Sequence, residues 1–143
     1  MSIATILLVD DEVPFVETMT KRLTKRDFQV EKAFSGQEGL DVLEKNRGIE
    51  VVILDVKMPG MDGIETLKQI KSKHPLVEVI MLTGHATVES AIDGMKLGAF
   101  DYLMKPCDMD QLIAKVMDAA KRKRDQEEKI VQARIQAITT RQA

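Results

Sequence analysis

The apolar positions of the chain gather in five short runs, separated by longer stretches of mixed polarity. Residues 3–9 and 51–54 are continuous runs rich in β-branched side chains, which is typical of strands buried on both faces of a sheet. The runs at 77–82 and 100–104 are nearly as apolar. The run at 28–33 alternates apolar with polar residues, which indicates a less buried strand. The pattern therefore predicts five strands.

The stretches that follow these runs carry the signals of helices. Pro14 stands where a helix would start and its missing N–H costs nothing, and Asp62 and Thr87 are suitable amino-terminal caps. Gly98 is a suitable end for the helix that Thr87 begins. Five strands alternating with five helices predict an α/β fold, in which a single doubly wound domain has a parallel sheet with helices on both faces.

Composition narrows the class of protein. The chain has 143 residues, enough for one domain with its own core, and 31% of them are charged, as in soluble globular proteins. Cys107 is the only cysteine, which agrees with a reducing, cytoplasmic location. His74 and His85 have no metal-ligating neighbour at a useful spacing and are expected on the surface. No apolar run approaches the roughly 20 residues that span a bilayer, so we expect no membrane partner.

Charge is distributed unevenly along the chain. Residues 1–114 contain 13 Lys and Arg against 19 Asp and Glu, whereas residues 115–143 contain 8 against 4. The basic end lacks the dense cationic face and the recognition motif of a nucleic-acid-binding protein. Direct binding of nucleic acid is therefore not expected.

Residues 121–143 are predicted to extend the last helix. The stretch starts with the charged segment KRKRDQEEK, and Val131, Ile135 and Ile138 then recur at spacings of four and three residues. A helix that dimerises, a helix that docks on a partner and a frayed end all agree with this pattern. We therefore divide the chain into a domain at 1–120 and a charged helical extension at 121–143.

Four of the five predicted strands end in a side chain that is charged or carries a hydroxyl. Asp10 and Asp11 follow the first strand, Asp55 the third, Thr83 the fourth and Lys105 the fifth. Parallel strands share one carboxyl edge, where the ligands of doubly wound folds bind, so these side chains are expected to meet.

The set of side chains indicates phosphoryl chemistry. Three carboxylates placed together repel one another, and a hard cation such as Mg²⁺, which prefers oxygen ligands, would relieve the repulsion. Mg²⁺ in proteins usually accompanies a phosphate. We interpret Asp55 as a nucleophile that can carry an aspartyl phosphate, with Lys105 neutralising the phosphoryl oxygens and Thr83 donating a hydrogen bond to them.

The segments LLVDDE, VVILDVKMPGMDGIE, VIMLTGHATVESA and DYLMKPCD carry these residues and resemble the response-regulator receiver domain of two-component signalling. The resemblance covers residues 3–120, and the segments TGHATVE and GAFDYLMKP are similar to receivers of the nitrogen-regulatory subgroup. It implies a flavodoxin-like (βα)5 fold with strand order 2-1-3-4-5. It also implies a bacterial phosphoprotein that acts in a two-component phosphorelay.

The same resemblance assigns the metal and phosphoryl positions. Asp55 matches the phosphoacceptor and also binds Mg²⁺. Asp11 matches a direct Mg²⁺ ligand, and Asp10 acts through a bound water. The backbone carbonyl of Lys57 matches the third protein ligand.

The remaining positions concern the response to phosphorylation. Thr83 matches the switch hydroxyl, and Lys105 matches the lysine that pairs with the phosphoryl group. Tyr102 matches the aromatic residue that turns inward after the hydroxyl has moved. Lys57 and His85 occupy the two positions that tune hydrolysis of the aspartyl phosphate, in a direction that the sequence does not give.

The resemblance also implies partners. A sensor histidine kinase or a histidine phosphotransfer protein would supply the phosphoryl group. The fourth helix, fifth strand and fifth helix, at about 86–120, would then contact a downstream protein target, and a phosphorylation-dependent homodimer is a further interpretation. The protein would not be a turnover enzyme, although it would catalyse its own phosphorylation and slow autodephosphorylation.

Two functions of other classes fit the sequence less well. An aspartate-nucleophile phosphatase usually carries a second Asp two positions after the nucleophile, and Lys57 stands there in this chain. A flavin or nucleotide binder needs a phosphate loop rich in Gly, Ser or Thr after the first strand, where this chain has DDEVP. Both patterns favour the receiver interpretation.

Overall fold

A computed structural model of the protein describes residues 3–142, and within them it contains five strands and five helices. The strands are Thr5–Val9 (β1), Gln29–Ala33 (β2), Val51–Leu54 (β3), Glu78–Thr83 (β4) and Asp101–Met104 (β5). The helices are Val13–Thr24 (α1), Gly36–Lys45 (α2), Gly63–Lys73 (α3), Val88–Lys96 (α4) and Met109–Gln142 (α5). Strands and helices alternate as the hydrophobic pattern predicts.

The strands form one parallel sheet in the order β2-β1-β3-β4-β5. Val9 at the end of β1 lies opposite Ala33 of β2 and Leu54 of β3, and Thr83 of β4 lies opposite Met104 of β5. Every residue of β3 and β4 is buried, which is the environment that continuous apolar runs favour. The topology confirms the predicted doubly wound, flavodoxin-like fold class.

Helices cover both faces of the sheet. On one face, Val16 of α1 and Leu112 of α5 belong to the same buried cluster as Ile6 of β1. On the other face, the next residue of β1, Leu7, belongs to a cluster with Leu67 of α3. Successive side chains of a strand point to opposite faces, so β1 supplies both cores. Each fully buried aliphatic side chain contributes roughly 1.5–3 kcal/mol, and together they fix the positions of the strand ends.

The helix ends follow the caps that the sequence predicts. The Thr87 hydroxyl accepts the N–H of Ser90 at 3.0 Å, and the Asp62 carboxylate accepts the N–H of Glu65 at 2.9 Å. Gly98 follows α4 with a φ of 99°, a left-handed conformation that glycine adopts without strain. The local sequence thus fixes where α3 and α4 start and where α4 ends.

The position of His74 differs from the expectation, because only 7% of this residue is exposed. The segment between α3 and β4 packs beneath the end of α2, and Arg47 Nη1 lies 3.3 Å from His74 Nδ1. Loop packing of this kind leaves no periodic signal in the sequence. The surface prediction was therefore wrong for His74.

Helix α5 is continuous over 34 residues. Arg122 Nε lies 3.1 Å from Glu78 Oε2, and the Arg124 guanidinium donates to both carboxylate oxygens of Glu50 at 2.6 and 2.9 Å. From residue 127 to 141 every side chain is exposed. No helix within residues 3–142 combines the length and hydrophobicity needed to cross a bilayer. The ion pairs attach α5 to the amino edge of the sheet, from which its last turns project.

Candidate functional site

The polar strand ends lie together at the carboxyl edge of the sheet. The hydrogen-bond ladder of the sheet continues into this edge, since the N–H of Asp55 donates to Val9 O at 3.0 Å and the N–H of Lys105 donates to Thr83 O at 2.9 Å. The main chain at these positions is therefore held by the same bonds that form the sheet.

Three carboxylates form the centre of the site. One oxygen from each of Asp10, Asp11 and Asp55 lies within 4.8 Å of the other two. Asp10 and Asp55 are 3% and 2% exposed, whereas Asp11 is exposed. The N–H of Glu12 donates to Asp10 Oδ1 at 2.9 Å, and the N–H of Val56 donates to Asp55 Oδ1 at 2.8 Å. The cluster is thus buried at Asp10 and Asp55 and open to solvent at Asp11.

The charge of this cluster is incompletely balanced. Burial raises the pKa of Asp10 above its ordinary value, because a carboxylate loses solvation there, and the nearby charge of Asp55 adds to the rise. Hydrogen bonds from Lys105 and from the N–H of Glu12 oppose it without cancelling it. A hard divalent cation would stabilise all three carboxylates in their charged form.

The donor set fits such a cation. Carboxylate oxygens are the ligands that Mg²⁺ prefers, and one solvent-facing side leaves room for the waters that Mg²⁺ retains. Lys57 and His85 line the cleft on this open side together with Asp11. The residues that could hold the metal are therefore Asp10, Asp11 and Asp55.

Lys105 reaches across the site from β5. Its Nζ lies 2.7 Å from Asp10 Oδ2 and 3.9 Å from Asp55 Oδ2. Two neighbours of this ammonium were missed by sequence reasoning: Glu12 Oε2 at 3.8 Å and the centre of the Phe15 ring at 4.0 Å. Glu12 could have been found from its place directly after the two aspartates, but no sequence signal distinguishes Phe15 from other apolar residues of α1.

Thr83 is completely buried at the end of β4. Its hydroxyl oxygen accepts the N–H of His85 at 3.0 Å. That bond uses the oxygen as an acceptor and leaves the hydroxyl proton able to donate to another group. The arrangement is suited to a hydroxyl that changes partner.

Tyr102 is half-buried and lies beside α4 instead of within the carboxylate cluster. Its hydroxyl is hydrogen-bonded to Ser90 Oγ, and its ring lies near Gly94 of α4. Ser90 is a second residue that sequence reasoning missed, although its position three residues after the Thr87 cap places it in the first turn of α4. The bond connects β5 directly to that turn.

Gly63, the first residue of α3, packs against the backbone of Asp55 and Val56. A side chain at this position would collide with the backbone oxygen of Asp55 and with the backbone of Val56. The N–H of Gly63 donates to Val56 O at 2.7 Å. The close approach of α3 to the loop after β3 therefore requires glycine.

Comparison with known families gives one match that spans most of the chain. Residues 6–117 match the response regulator receiver domain family. Among curated proteins, NtrC of Klebsiella pneumoniae, a DNA-binding transcriptional regulator, is 37% identical over 121 residues, which cover 85% of this chain and 26% of NtrC. The transcriptional regulatory protein ZraR of Escherichia coli O157:H7 is 39% identical over 109 residues, which cover 76% of this chain and 24% of ZraR. The chain spans about a quarter of the length of these relatives.

Solved structures agree with the sequence match. A receiver domain from Clostridium thermocellum has a TM-score of 0.81 at 39% identity and covers 85% of this chain and 97% of its own. NtrX from Brucella abortus has a TM-score of 0.81 at 31% identity and covers 90% of this chain and 29% of its own. The similarity to NtrC and NtrX agrees with the resemblance to nitrogen-regulatory receivers.

Proposed function

Because the chain belongs to the family of response regulator receiver domains, we propose that Asp55 accepts a phosphoryl group and so switches the protein between two conformations. The relatives NtrC and ZraR are transcriptional regulators, so we propose a signalling role for this chain and not that of a turnover enzyme. The observation that supports Asp55 most directly is its placement: a buried carboxylate at a strand end, between two further carboxylates and a lysine.

In the proposed reaction, a carboxylate oxygen of Asp55 attacks the phosphorus of the donor. A new phosphorus–oxygen bond forms while the bond to the donor breaks, and the donor leaves with the electron pair. Mg²⁺, held by Asp10, Asp11, Asp55 and the carbonyl of Lys57, would supply the positive charge that this crowded edge lacks. Lys105 would neutralise the added phosphoryl oxygens from its position 3.9 Å from Asp55.

The proposed response starts at Thr83. Its hydroxyl proton would be donated to the phosphoryl group, and the resulting movement of the segment before α4 would allow Tyr102 to leave Ser90 and turn inward. Lys57 and His85 line the solvent-facing cleft, so we propose that they set how easily water reaches the aspartyl phosphate.

The output surface in this proposal is the face formed by α4, β5 and α5. It exposes large apolar side chains, including Val88 at 79% and Met104 at 65%. Exposed apolar groups of this kind favour contact with a protein. A downstream protein target is therefore proposed, without direct binding of nucleic acid, and a phosphorylation-dependent homodimer is proposed as one form of that contact.

We further propose residues 1–120 as the receiver and 121–143 as its helical extension; residues 1, 2 and 143 lie outside the described part of the chain. The proposed phosphodonor is a sensor histidine kinase or a histidine phosphotransfer protein, and the proposed location is the cytoplasm. Relatives of the NtrC type support this assignment by analogy alone.

Intact-protein mass spectrometry with acetyl phosphate tests the chemistry. With Mg²⁺ the protein should gain about 80 Da, the mass of one phosphoryl group, and EDTA should prevent the gain. Asp55→Asn should abolish it, whereas Asp93→Asn, the same substitution at an exposed position on α4, should leave it unchanged. Failure of the wild-type protein both to gain this mass and to bind beryllofluoride would refute the proposed function.

A further inference from the structure

A second pocket lies at the amino edge of the sheet, opposite the phosphorylation site. We call it the amino-edge pocket. It is formed by the end of α2, the segment between α3 and β4, and α5. Four of its lining residues carry cationic or titratable nitrogen groups: Arg47, Lys73, His74 and Lys123. These side chains come from three separate parts of the chain and serve no role in the proposed phosphoryl transfer.

His74 is the informative member of this group. Arg47 Nη1 lies 3.3 Å from His74 Nδ1, and a guanidinium can only donate, so Nδ1 accepts and the proton of the neutral ring resides on Nε2. Nε2 is buried and has no hydrogen-bond partner among the described residues. Glu44 Oε1 lies 3.3 Å away but outside hydrogen-bonding geometry. A buried N–H donor without an acceptor is destabilising, and an anion that displaced the half-exposed Glu44 side chain would supply one.

The acidic groups near the pocket do not fill this role. Arg47 pairs with Glu44 at 3.2 Å, but both side chains are more than half exposed, so the pair is weak and replaceable. Lys123 is only 9% exposed and pairs with Glu127 at 2.8 Å. The lining thus retains excess positive charge beside an unsatisfied donor.

We propose that the amino-edge pocket binds a phosphate-type oxyanion, either inorganic phosphate or the phosphate of a small monoester. A guanidinium matches two oxygens of such a group, the imidazole N–H matches a third, and the lysines balance its second charge. A single carboxylate has one charge and two coplanar oxygens, so it would leave some of these donors and positive charges without a partner. The bound anion would tie Lys123, at the start of the α5 extension, to the segment that precedes β4.

The two histidines of the chain make this proposal testable independently of the phosphorylation site. His74 lines the amino-edge pocket and His85 lines the cleft of the carboxylate cluster. In histidine-labelled protein, NMR should therefore show one imidazole for each edge. Inorganic phosphate or phosphoserine, titrated at constant ionic strength, should shift the His74 signals to saturation. Mg²⁺ with beryllofluoride should shift the His85 signals instead.

Substitution of Arg47 completes the test. Arg47→Gln should weaken the phosphate-dependent shift of His74 by roughly tenfold, because one charge-assisted contact is lost. Arg26→Gln, an exposed arginine remote from the pocket, should leave the affinity unchanged. Saturation by phosphoserine as well as phosphate supports a monoester ligand, and saturation by phosphate alone supports the free anion. An unmoved His74 signal, a shift reproduced by sodium chloride, or equal affinities of wild type and Arg47→Gln would overturn the proposal, whatever the response of His85.

Discussion

Lys105 is hydrogen-bonded to Asp10 and not to Asp55: its ammonium is 2.7 Å from an Asp10 oxygen and 3.9 Å from the nearer Asp55 oxygen. The lysine therefore stabilises the buried carboxylate cluster before any phosphoryl group is present. To neutralise a phosphoryl group on Asp55 it must weaken its contact with Asp10. Mg²⁺ would make that change easier, because a cation between the carboxylates would replace the charge that the lysine withdraws.

We expect Lys105→Gln to slow phosphorylation of Asp55 by about 100-fold, since it removes one positioned cation from the transition state. The rate of mass gain with acetyl phosphate at saturating Mg²⁺ measures this. Lys115→Gln, which removes a partly exposed lysine that pairs with Asp101, serves as the control and should not change the rate. An unaltered rate in Lys105→Gln would exclude the proposed role.

We expect Asp10→Asn to stabilise the metal-free protein at neutral pH. The substitution removes a buried negative charge whose raised pKa reports an unfavourable environment, while the amide oxygen still accepts from Lys105. Urea unfolding in EDTA should give a higher midpoint for Asp10→Asn than for wild type. Asp11→Asn, at the exposed neighbour, should change the midpoint less. A variant less stable than wild type in EDTA would contradict the electrostatic account of this cluster.

The same carboxylate predicts a pH dependence. The pKa of Asp10 is higher in the folded than in the unfolded protein, where the ordinary value is 3.8, so its destabilising effect is absent below pH 3.8. The effect becomes complete as pH rises through the folded pKa. The gap between wild type and Asp10→Asn in EDTA should therefore widen from pH 4 to pH 7. A gap that narrows over this range would reverse the predicted sign.

Mg²⁺ should stabilise the wild-type protein by mass action, by about 1.4 kcal/mol at tenfold excess over its dissociation constant. The stabilisation should shrink at acid pH, because protons compete with the metal for the carboxylates. Thermal unfolding at several Mg²⁺ concentrations measures both effects. Asp10→Asn should gain less from Mg²⁺ than wild type, and an equal gain would place the metal elsewhere.

Gly63→Ala should destabilise the fold by roughly 3 kcal/mol or more, because the new methyl group meets rigid backbone at Asp55 and Val56. Gly60→Ala is the comparison. Gly60 has a φ of 74° and open space around it, so its cost is conformational alone, about 1–2 kcal/mol. Urea unfolding of both variants should rank Gly63→Ala as the more damaging. Equal effects would mean that α3 can withdraw from the loop after β3.

The sequence predicted the parts of the site that depend on strand ends. Asp55, Thr83 and Lys105 could be placed together because a parallel sheet brings such ends to one edge whatever the loops do. Phe15 and Ser90 could not be found in this way. Their contacts depend on how helices are rotated against the sheet, which is decided by packing across the whole domain.

Buried polar residues away from the strand ends were predicted least well. His74 is covered by the segment between α3 and β4, and no periodicity marks such a segment. Glu78 interrupted an apolar run, and only the structure shows that Lys71 and Arg122 lie within salt-bridge distance of it. Ion pairs between remote parts of the chain leave no local pattern from which they can be read.

Strand β4 runs from the amino edge of the sheet to its carboxyl edge. Thr83 stands at its carboxyl end beside the proposed phosphoacceptor, and Glu78 stands at its amino end, where Arg122 of α5 contacts it. Six residues of strand span roughly 20 Å. A shift of β4 along its own axis would therefore move Glu78 relative to Arg122 of α5, at the edge of the sheet opposite Asp55, without any change in α4. The long helix is thus connected to the edge of the sheet that carries Asp55 through one buried strand, β4, which lies next to the central strand β3.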